Sequence, residues 1–246
     1  MKIVNEQLAV TARLVPPHDN GYLLLAAEVG TWRGPFASHG RAHRALLERL
    51  TALAARLTAR DEVEEATVFR AILRPPGEGG ALLRRRGVAP ARYDVVVLTR
   101  TTDPAAALAL RGEPDYKELA EALGTAARRT HHIAARDTRR LGDVDHRPDD
   151  AFLFNYFYAD DGETLLDVWQ YTAGWFQAKT GLANSALMQP LDGEPAEYGV
   201  VNHASWPTLR AFLPGLIFRP TFRRFVLANF KANGIAAQPI IYRRLR

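Results

Sequence analysis

Residues 143–158 read DVDHRPDDAFLFNYFY, and this stretch determines how the rest of the chain divides. Its first eight residues, 143–150, are polar and include a proline, which is typical of a linker. Residues 151–158 are apolar and aromatic except for one asparagine, which predicts a buried β-strand. On both sides of the linker the apolar patterns follow one another in the same order. The stretch therefore predicts two consecutive units of similar architecture.

The first unit is placed at residues 20–142, after an N-terminal extension at 1–19. Leucines recur on one stripe of 39–60, which predicts an amphipathic helix, and a second, interrupted helical region is predicted at 103–127. The Gly- and Pro-containing residues 30–38 are predicted to form a loop. Four apolar or β-branched runs predict the strands, at 22–29, 66–73, 92–99 and 130–139.

The second unit, 151–246, repeats the order strand, helix, strand, strand, helix, strand. Its first helix is predicted at 163–179 and ends before Gly181, a suitable C-terminal cap. Its second helical region is predicted at 206–233, with interruptions where prolines occur. The four strands are predicted at 151–158, 185–191, 198–203 and 235–243.

A β-α-β-β-α-β unit forms a four-stranded antiparallel sheet with both helices on one face. The other face must be buried, and two such sheets bury each other when they pack face to face. We therefore predict an α+β fold in which two tandem ferredoxin-like units pack sheet to sheet. This arrangement resembles the dimeric α+β barrel superfamily, with both sheets supplied by one chain. The resemblance implies a monomeric pseudo-dimer or a homodimer.

The segment 202–206, NHASW, resembles the Asn-x-x-x-Trp segment of the antibiotic-biosynthesis monooxygenase family. In that family the Asn and Trp line the pocket of cofactor-independent oxygenases that act on aromatic polyketides. Asn155 lies where related haem-degrading members carry an asparagine, and the resemblance extends over 151–245. The first unit has TRTTD at 99–103 in place of this motif, which predicts a degenerate site there. No histidine follows Trp206, so haem oxygenation is not expected.

The resemblance implies that Asn202 donates a hydrogen bond to a substrate carbonyl or enolate and that Trp206 walls the pocket. The alternative is a packed indole at a strand–helix junction with Asn202 as a local cap. His203 is a candidate general base because imidazole titrates near neutrality. Consecutive strand residues point to opposite faces, however, so Asn202 and His203 are not expected to share one pocket.

Four further residues are candidates for substrate binding in the second unit. Asn155 and Phe157 share one face of their predicted strand by alternation. Trp169 and Phe176 are seven residues apart on the predicted helix, so they lie on nearly one face and could roof a hydrophobic ligand. Packing in the core is the alternative for both aromatic side chains.

No metal site and no cofactor are predicted. His39 and His43 have the i, i+4 spacing that lets two imidazoles share an ion, but residue 40 is Gly, so the HExxH motif is absent. The chain has no cysteine, which excludes thiol nucleophiles, disulfides and cysteine metal sites.

The formal net charge is +5, but the basic residues are mostly scattered arginines, including Arg219, Arg223 and Arg224 near Pro220. They form no continuous basic arm, so a solvated surface is favoured over a nucleic-acid partner, and an acidic ligand remains the alternative for this group. No stretch matches a signal peptide or a membrane span, which predicts a cytoplasmic protein without a membrane partner.

These observations favour a cofactor-independent monooxygenase-like enzyme that acts on a hydrophobic aromatic or enolisable small molecule. Two alternatives stay open on the same barrel. One is a non-catalytic small-ligand-binding or scaffold protein, and the other is a polyketide cyclase or dehydratase, because one fold hosts many chemistries.

Overall fold

The structure is a computed structural model that describes residues 1–147 and 150–245. A short 3₁₀ turn at Glu6–Leu8 precedes the first strand. The first half contains β1 (Gly21–Glu28), β2 (Thr31–Arg33), β3 (Phe36–Ser38), α1 (Arg41–Thr58), β4 (Val63–Leu73), α2 (Gly80–Arg86), β5 (Val95–Thr101), α3 (Pro104–Leu110), α4 (Pro114–Ala126) and β6 (Arg129–Gly142). The second half contains β7 (Ala151–Ala159), α5 (Gly162–Thr180), β8 (Ser185–Pro190), β9 (Val200–Trp206), α6 (Leu209–Phe218), a π-helical segment (Phe222–Leu227), α7 (Ala228–Ala232) and β10 (Ile235–Arg244).

Eight of the strands form a closed antiparallel barrel, in the order β10-β7-β9-β8-β6-β1-β5-β4, and β10 pairs with β4 to complete the circle. Each half contributes four strands to the barrel. When these four are numbered in chain order, their spatial order in both halves is fourth, first, third, second. The halves meet at two seams, β6 with β8 and β4 with β10. Every barrel strand thus has a partner on each side, so no long edge is left open. The predicted α+β class is confirmed.

Strand alternation separates the side chains into an inner and an outer layer. On β7, Phe152, Phe154 and Tyr156 point into the barrel and pack in one aromatic cluster that spans both halves. Leu153 and Phe157 point outward into a second cluster under the helices of the second half. Each buried large apolar side chain stabilises the fold by about 1.5–3 kcal/mol relative to an exposed one.

The outer face of the first half is filled by side chains. Leu47, Leu50 and Leu57 of α1 are almost fully buried and pack on that face. They cover Leu25 and Val97, which lie opposite each other on β1 and β5. The leucine stripe seen in the sequence is therefore the contact face of α1, as its periodicity predicts.

The N-terminal extension lies across the helices of the second half. The backbone N–H of Ala12 donates to the carbonyl of Gln170 on α5 at 3.2 Å. The side chains of Asn229 and Asn233, on and just after α7, bind the backbone of residues 2–4. A Cβ atom built on Gly174 would lie 1.7 Å from the carbonyl oxygen of Val10, so only glycine allows this approach.

The structure corrects three details of the sequence-based prediction. The predicted loop at 30–38 contains the hairpin β2–β3, which turns at Gly34 with a φ of 59°. Strand β9 continues to Trp206 instead of ending at His203, because β7 offers partners along its whole length. The last helical region includes a π-helical segment that periodicity alone does not reveal. Of the predicted linker, residues 148–149 lie outside the described residues.

In the described ranges, no helix has both the length and the apolar character needed to cross a membrane.

Two neighbouring histidines on β6, the buried His131 and the half-buried His132, are held in a neutral form. His131 stacks near Tyr93 inside the barrel, and His132 shares a 2.8 Å hydrogen bond with the hydroxyl of Tyr116 on the outer side. Burial, helped by the charge of Arg129, lowers the pKa of His131 to about 4. Burial, helped by a nearby arginine, also lowers the pKa of His132 to about 4.

We predict that Gly174→Ala destabilises the protein by roughly 1–3 kcal/mol, because the new methyl group overpacks the contact between α5 and the N-terminal extension. The free energy of unfolding in urea measures this loss. Limited proteolysis of the N-terminal extension should become faster at the same time.

The matched control is Gly124→Ala on α4, where an added Cβ would meet no atom within 4 Å. This change is expected to be neutral or to stabilise the helix by up to about 1 kcal/mol. Equal effects of the two substitutions would contradict the close approach at Gly174.

We further predict that the free energy of unfolding decreases as the pH drops below about 6.5, which is the pKa of histidine in the unfolded chain. Between pH about 6.5 and pH about 4, these two histidines are protonated in the unfolded chain, whereas His131 and His132 of the folded protein remain neutral. Each therefore removes up to about 1.4 kcal/mol per pH unit over that window. Urea unfolding as a function of pH measures the slope.

His131→Phe should make this slope shallower. Its unfolding free energy above pH about 7, where the histidine is neutral in both states, isolates the change in packing and serves as the control. A slope that is identical in the variant and the parent would rule out His131 as a contributor.

Candidate functional site

A cavity lies in the second half, between the outer face of its sheet and the helices that cover it. The space beside its lining atoms is about 710 Å³, a figure that includes open solvent at its mouth. The walls come from α5, the π-helical segment, β7, β8, β9 and β10, together with a loop of the first half. None of its lining residues, among those that the structure describes, carries an ionisable side chain. The cavity is therefore apolar with a few amide and hydroxyl groups.

Two asparagines form the polar floor of this cavity. Asn155 of β7 and Asn202 of β9 lie directly opposite each other in the antiparallel pair. The Oδ1 atom of Asn202 accepts a hydrogen bond from Trp169 Nε1 at 3.2 Å and another from Ser185 Oγ at 2.6 Å. These two donors fix the amide plane, because only the carbonyl side can accept them.

The amide group of Asn202 thereby keeps its donor side available. Its Nδ2 atom makes no hydrogen bond with any described residue, although the side chain as a whole is almost fully buried. The neighbouring Asn155 has a buried Oδ1 without a hydrogen-bond partner in the same part of the chain. An amide donor and an amide acceptor on directly paired residues of the cavity floor thus lack a described partner, and the buried acceptor of Asn155 needs one.

Aromatic rings make the walls. Trp206 and Trp169 are almost fully buried, and Trp206 Nε1 donates to Thr180 Oγ1 at 3.2 Å. The ring of Phe176 lies 6.3 Å from that of Trp206 and 6.1 Å from that of Phe222, measured between centroids. This arrangement provides flat apolar surfaces on several sides of the cavity.

The structure thus brings six of the seven residues predicted from the sequence to one cavity. They are Asn155, Phe157, Trp169, Phe176, Asn202 and Trp206. Because Trp206 ends strand β9, it lies on the same face as Asn202, four residues apart. This alternation explains the spacing of the motif.

His203 lies on the opposite face of β9, inside the barrel. Its ring stacks on that of Phe154, with 4.1 Å between centroids, and its Nδ1 lies 3.1 Å from the carbonyl oxygen of Leu153. Its Nε2 lies 2.9 Å from Nε2 of His146. Burial lowers the pKa of His203 well below its ordinary value. The sheet separates His203 from the cavity, so it cannot act as a base on a ligand there.

His146 links His203 to a carboxylate. Its Nδ1 lies 2.9 Å from Oε2 of Glu65. Burial tends to raise the pKa of Glu65, but the hydrogen bond and charge of His146 outweigh it and lower that pKa to about 2. These three side chains join the two halves inside the barrel, and we assign them to its packing.

Two groups of lining residues have no recognisable signal in the sequence. Ser185, the first residue of β8, and Phe222, in the π-helical segment, carry no motif that marks them. The loop 75–77 reaches the cavity from the first half, and the backbone of Glu78 pairs with Ala237 of β10 at 3.0 and 3.1 Å. Only the tertiary pairing of β4 with β10 brings this loop to the cavity.

A wider groove adjoins the cavity at this loop. It shares Phe222 and the prolines of the loop with the cavity, and it carries Arg74, Arg92 and Arg223. Arg92 lies 3.3 Å from the carboxylate of Glu28, so part of the positive charge is already paired. The approach to the cavity is therefore basic, whereas its interior is apolar.

The cavity does not fit a haem group. Haem iron in proteins is held by His, Cys, Met or Tyr. None of the described residues that line the cavity is of these types.

The sequence matches no protein-family model and no curated protein. Solved structures do share the fold. An anthrone oxidase-like protein has 10% identity and a TM-score of 0.62, with 95% of each chain covered. A proposed monooxygenase of Fusobacterium nucleatum has 8% identity and a TM-score of 0.58, with 93% of this chain and 94% of that one covered.

A haem-binding protein of Thermus thermophilus is also similar, with 9% identity, a TM-score of 0.50 and coverage of 97% of this chain and 96% of that one. At such identities the likeness extends to the fold alone. The chain therefore has the α+β barrel fold that these oxygenase-like and haem-binding proteins share.

Proposed function

We propose that this chain is a cofactor-independent monooxygenase that acts on a flat, hydrophobic, enolisable or phenolic molecule in the cavity of its second half. One observation carries the proposal. An oriented amide donor, Asn202 Nδ2, lies in an aromatic cavity whose described lining residues are not ionisable. Such a site suits a substrate that itself supplies the electrons for reaction with dioxygen.

We also propose that the two halves are ferredoxin-like units fused in tandem, at 20–142 and 151–246, with the working pocket in the second. The identical spatial order of strands in the two halves supports this division. In the first half, Leu25 and Val97 occupy the middle of the strand pair where Asn155 and Asn202 stand in the second. An apolar filling replaces the pocket there.

The proposed reaction converts an activated methylene into a carbonyl, R₂CH₂ + O₂ → R₂C=O + H₂O. The substrate loses a proton to bulk water before it binds, so it enters the cavity as an enolate, whose electrons reduce dioxygen. One oxygen atom enters the substrate and the other leaves as water with the two hydrogens of the methylene. A hydrogen bond from Asn202 Nδ2 to the enolate oxygen stabilises the charge that develops there.

Asn202 is suited to this role because Trp169 and Ser185 hold its carbonyl oxygen in place. A donor that is already oriented needs no reorganisation when the charge forms, which makes it more effective than a mobile one. Trp169, Trp206 and Phe176 would sandwich the rings of the substrate and exclude water.

A non-catalytic ligand-binding protein is the second candidate function. The same lack of ionisable lining groups favours it, because binding needs no proton transfer. A cyclase or dehydratase has less support, since these reactions require a general acid or base within hydrogen-bond reach.

We predict that the protein consumes dioxygen when it is incubated with anthrone-type phenols, and that Asn202→Asp lowers kcat by about 10²-fold. The Asp variant keeps an oxygen that accepts the hydrogen bonds of Trp169 and Ser185. Its second oxygen replaces the Nδ2 donor. Trp206→Phe should mainly raise KM, because it removes ring surface from the wall. An oxygen electrode measures the rates.

Asn20→Ala is the matched control, since Asn20 lies outside the cavity and binds Glu64 and the backbone of Thr101. Its kinetics should equal those of the parent. Full activity of both cavity variants would refute the site. Ligand binding without oxygen uptake would favour the non-catalytic function.

A further inference from the structure

Three side chains of types that bind metals meet in the first half, and none of them lines the cavity. His39 immediately precedes the N-cap of α1, His43 lies in the first turn of α1, and Asp94 directly precedes β5. One potential ligand atom from each lies within 4.8 Å of the other two. Two segments of the chain, 39–43 and the residue before β5, therefore bring two imidazoles and a carboxylate to one point.

His43 is a buried imidazole whose hydrogen-bonding capacity is unused. Its side chain is only 5% exposed, yet neither ring nitrogen makes a hydrogen bond within the described residues. Buried polar atoms are almost always paired, so an imidazole with two unpaired nitrogens requires an explanation.

His39 is oriented in the manner of a metal ligand. Its Nε2 lies 2.9 Å from the carbonyl oxygen of Ala71, and a carbonyl can only accept, so the proton is on Nε2. The Nδ1 atom then carries a free lone pair, and it is buried without a hydrogen-bond partner among the described residues. A second ring nitrogen bound to a carbonyl is the usual way in which ligating histidines are held.

Asp94 is completely buried, and backbone groups hold its carboxylate. Val29 N–H donates to Oδ1 at 2.6 Å, and Gly30 N–H donates to Oδ2 at 2.8 Å. A Cβ on Gly30 would lie 2.6 Å from Oδ2 and 3.1 Å from His43 Nδ1, so glycine leaves the space between these ligands open. Each carboxylate oxygen retains a lone pair for a cation.

The distance between His43 and Asp94 also fits a shared ion. Oδ2 and Nδ1 are 3.4 Å apart, which is long for a charge-assisted hydrogen bond. Two ligands of a tetrahedral zinc ion, each about 2.0–2.1 Å from the metal, stand roughly 3.4 Å apart. A ligand atom of His39 lies within 4.8 Å of those of His43 and Asp94.

We propose that His39, His43 and Asp94 bind a divalent transition-metal ion, with zinc as the preferred one. The N₂O donor set suits zinc and its neighbours rather than magnesium or calcium, which prefer oxygen. The ion would tie the segment around the β2–β3 hairpin to the start of α1 and to β5. The sequence disfavoured a metal here because the HExxH motif is absent, and the third ligand, Asp94, is fifty-one residues beyond His43.

The test is a titration of the full-length protein, freed of metal by a chelator, with Co²⁺ and then with Zn²⁺. We expect one Co²⁺ per chain with the visible absorption of a low-coordinate nitrogen and oxygen site, displacement by Zn²⁺, and a rise in Tm on binding. His39→Ala and His43→Ala should each weaken binding by tenfold or more.

His18→Ala is the control, because His18 is an exposed histidine that lies 2.7 Å from the carboxylate of Asp143. It should bind Co²⁺ like the parent. If His43→Ala does not fold, the His39→Ala variant still tests the proposal, because the side chain of His39 is half-exposed. Parent-like binding by His39→Ala, or no saturable binding by the parent, overturns the proposal. Neither result depends on oxygen uptake at the cavity.

Discussion

Closure of the barrel is the constraint on which the other features depend. The pairing of β4 with β10 gives the last open strands a partner, and every barrel strand then has two neighbours. Once the circle is closed, the inside and outside of each strand are fixed, and a shift of one residue would exchange them. The aromatic side chains of both halves fill the inside. The cavity of the second half therefore lies outside the barrel, beneath the helices.

The same alternation decides what the motif in β9 can do. Asn202 and Trp206 point to the helices and meet Trp169, whereas His203 points inward and packs on Phe154. The first half has the same layers, but the leucines of α1 fill the corresponding space. The difference between the halves thus arises from a few side chains on an equal framework of strands.

Much of the fold and of the cavity can be predicted from the sequence, because strand alternation and helix periodicity are local properties. They predict the order of elements, the face shared by Asn155 and Phe157, and the separation of Asn202 from His203. Contacts between distant segments leave no such pattern. Ser185 as a donor to Asn202, the loop 75–77 at the cavity, and Asp94 beside His43 all depend on which strands become neighbours.

A barrel closed within one chain also changes which substitutions are possible. In a barrel built from two identical chains, every mutation appears twice, so a residue that opens a pocket on one side opens it on the other. Here a leucine can be kept beneath α1 while an asparagine is kept beneath α5. Each half can therefore accumulate its own changes, provided that the two seams between them still pair.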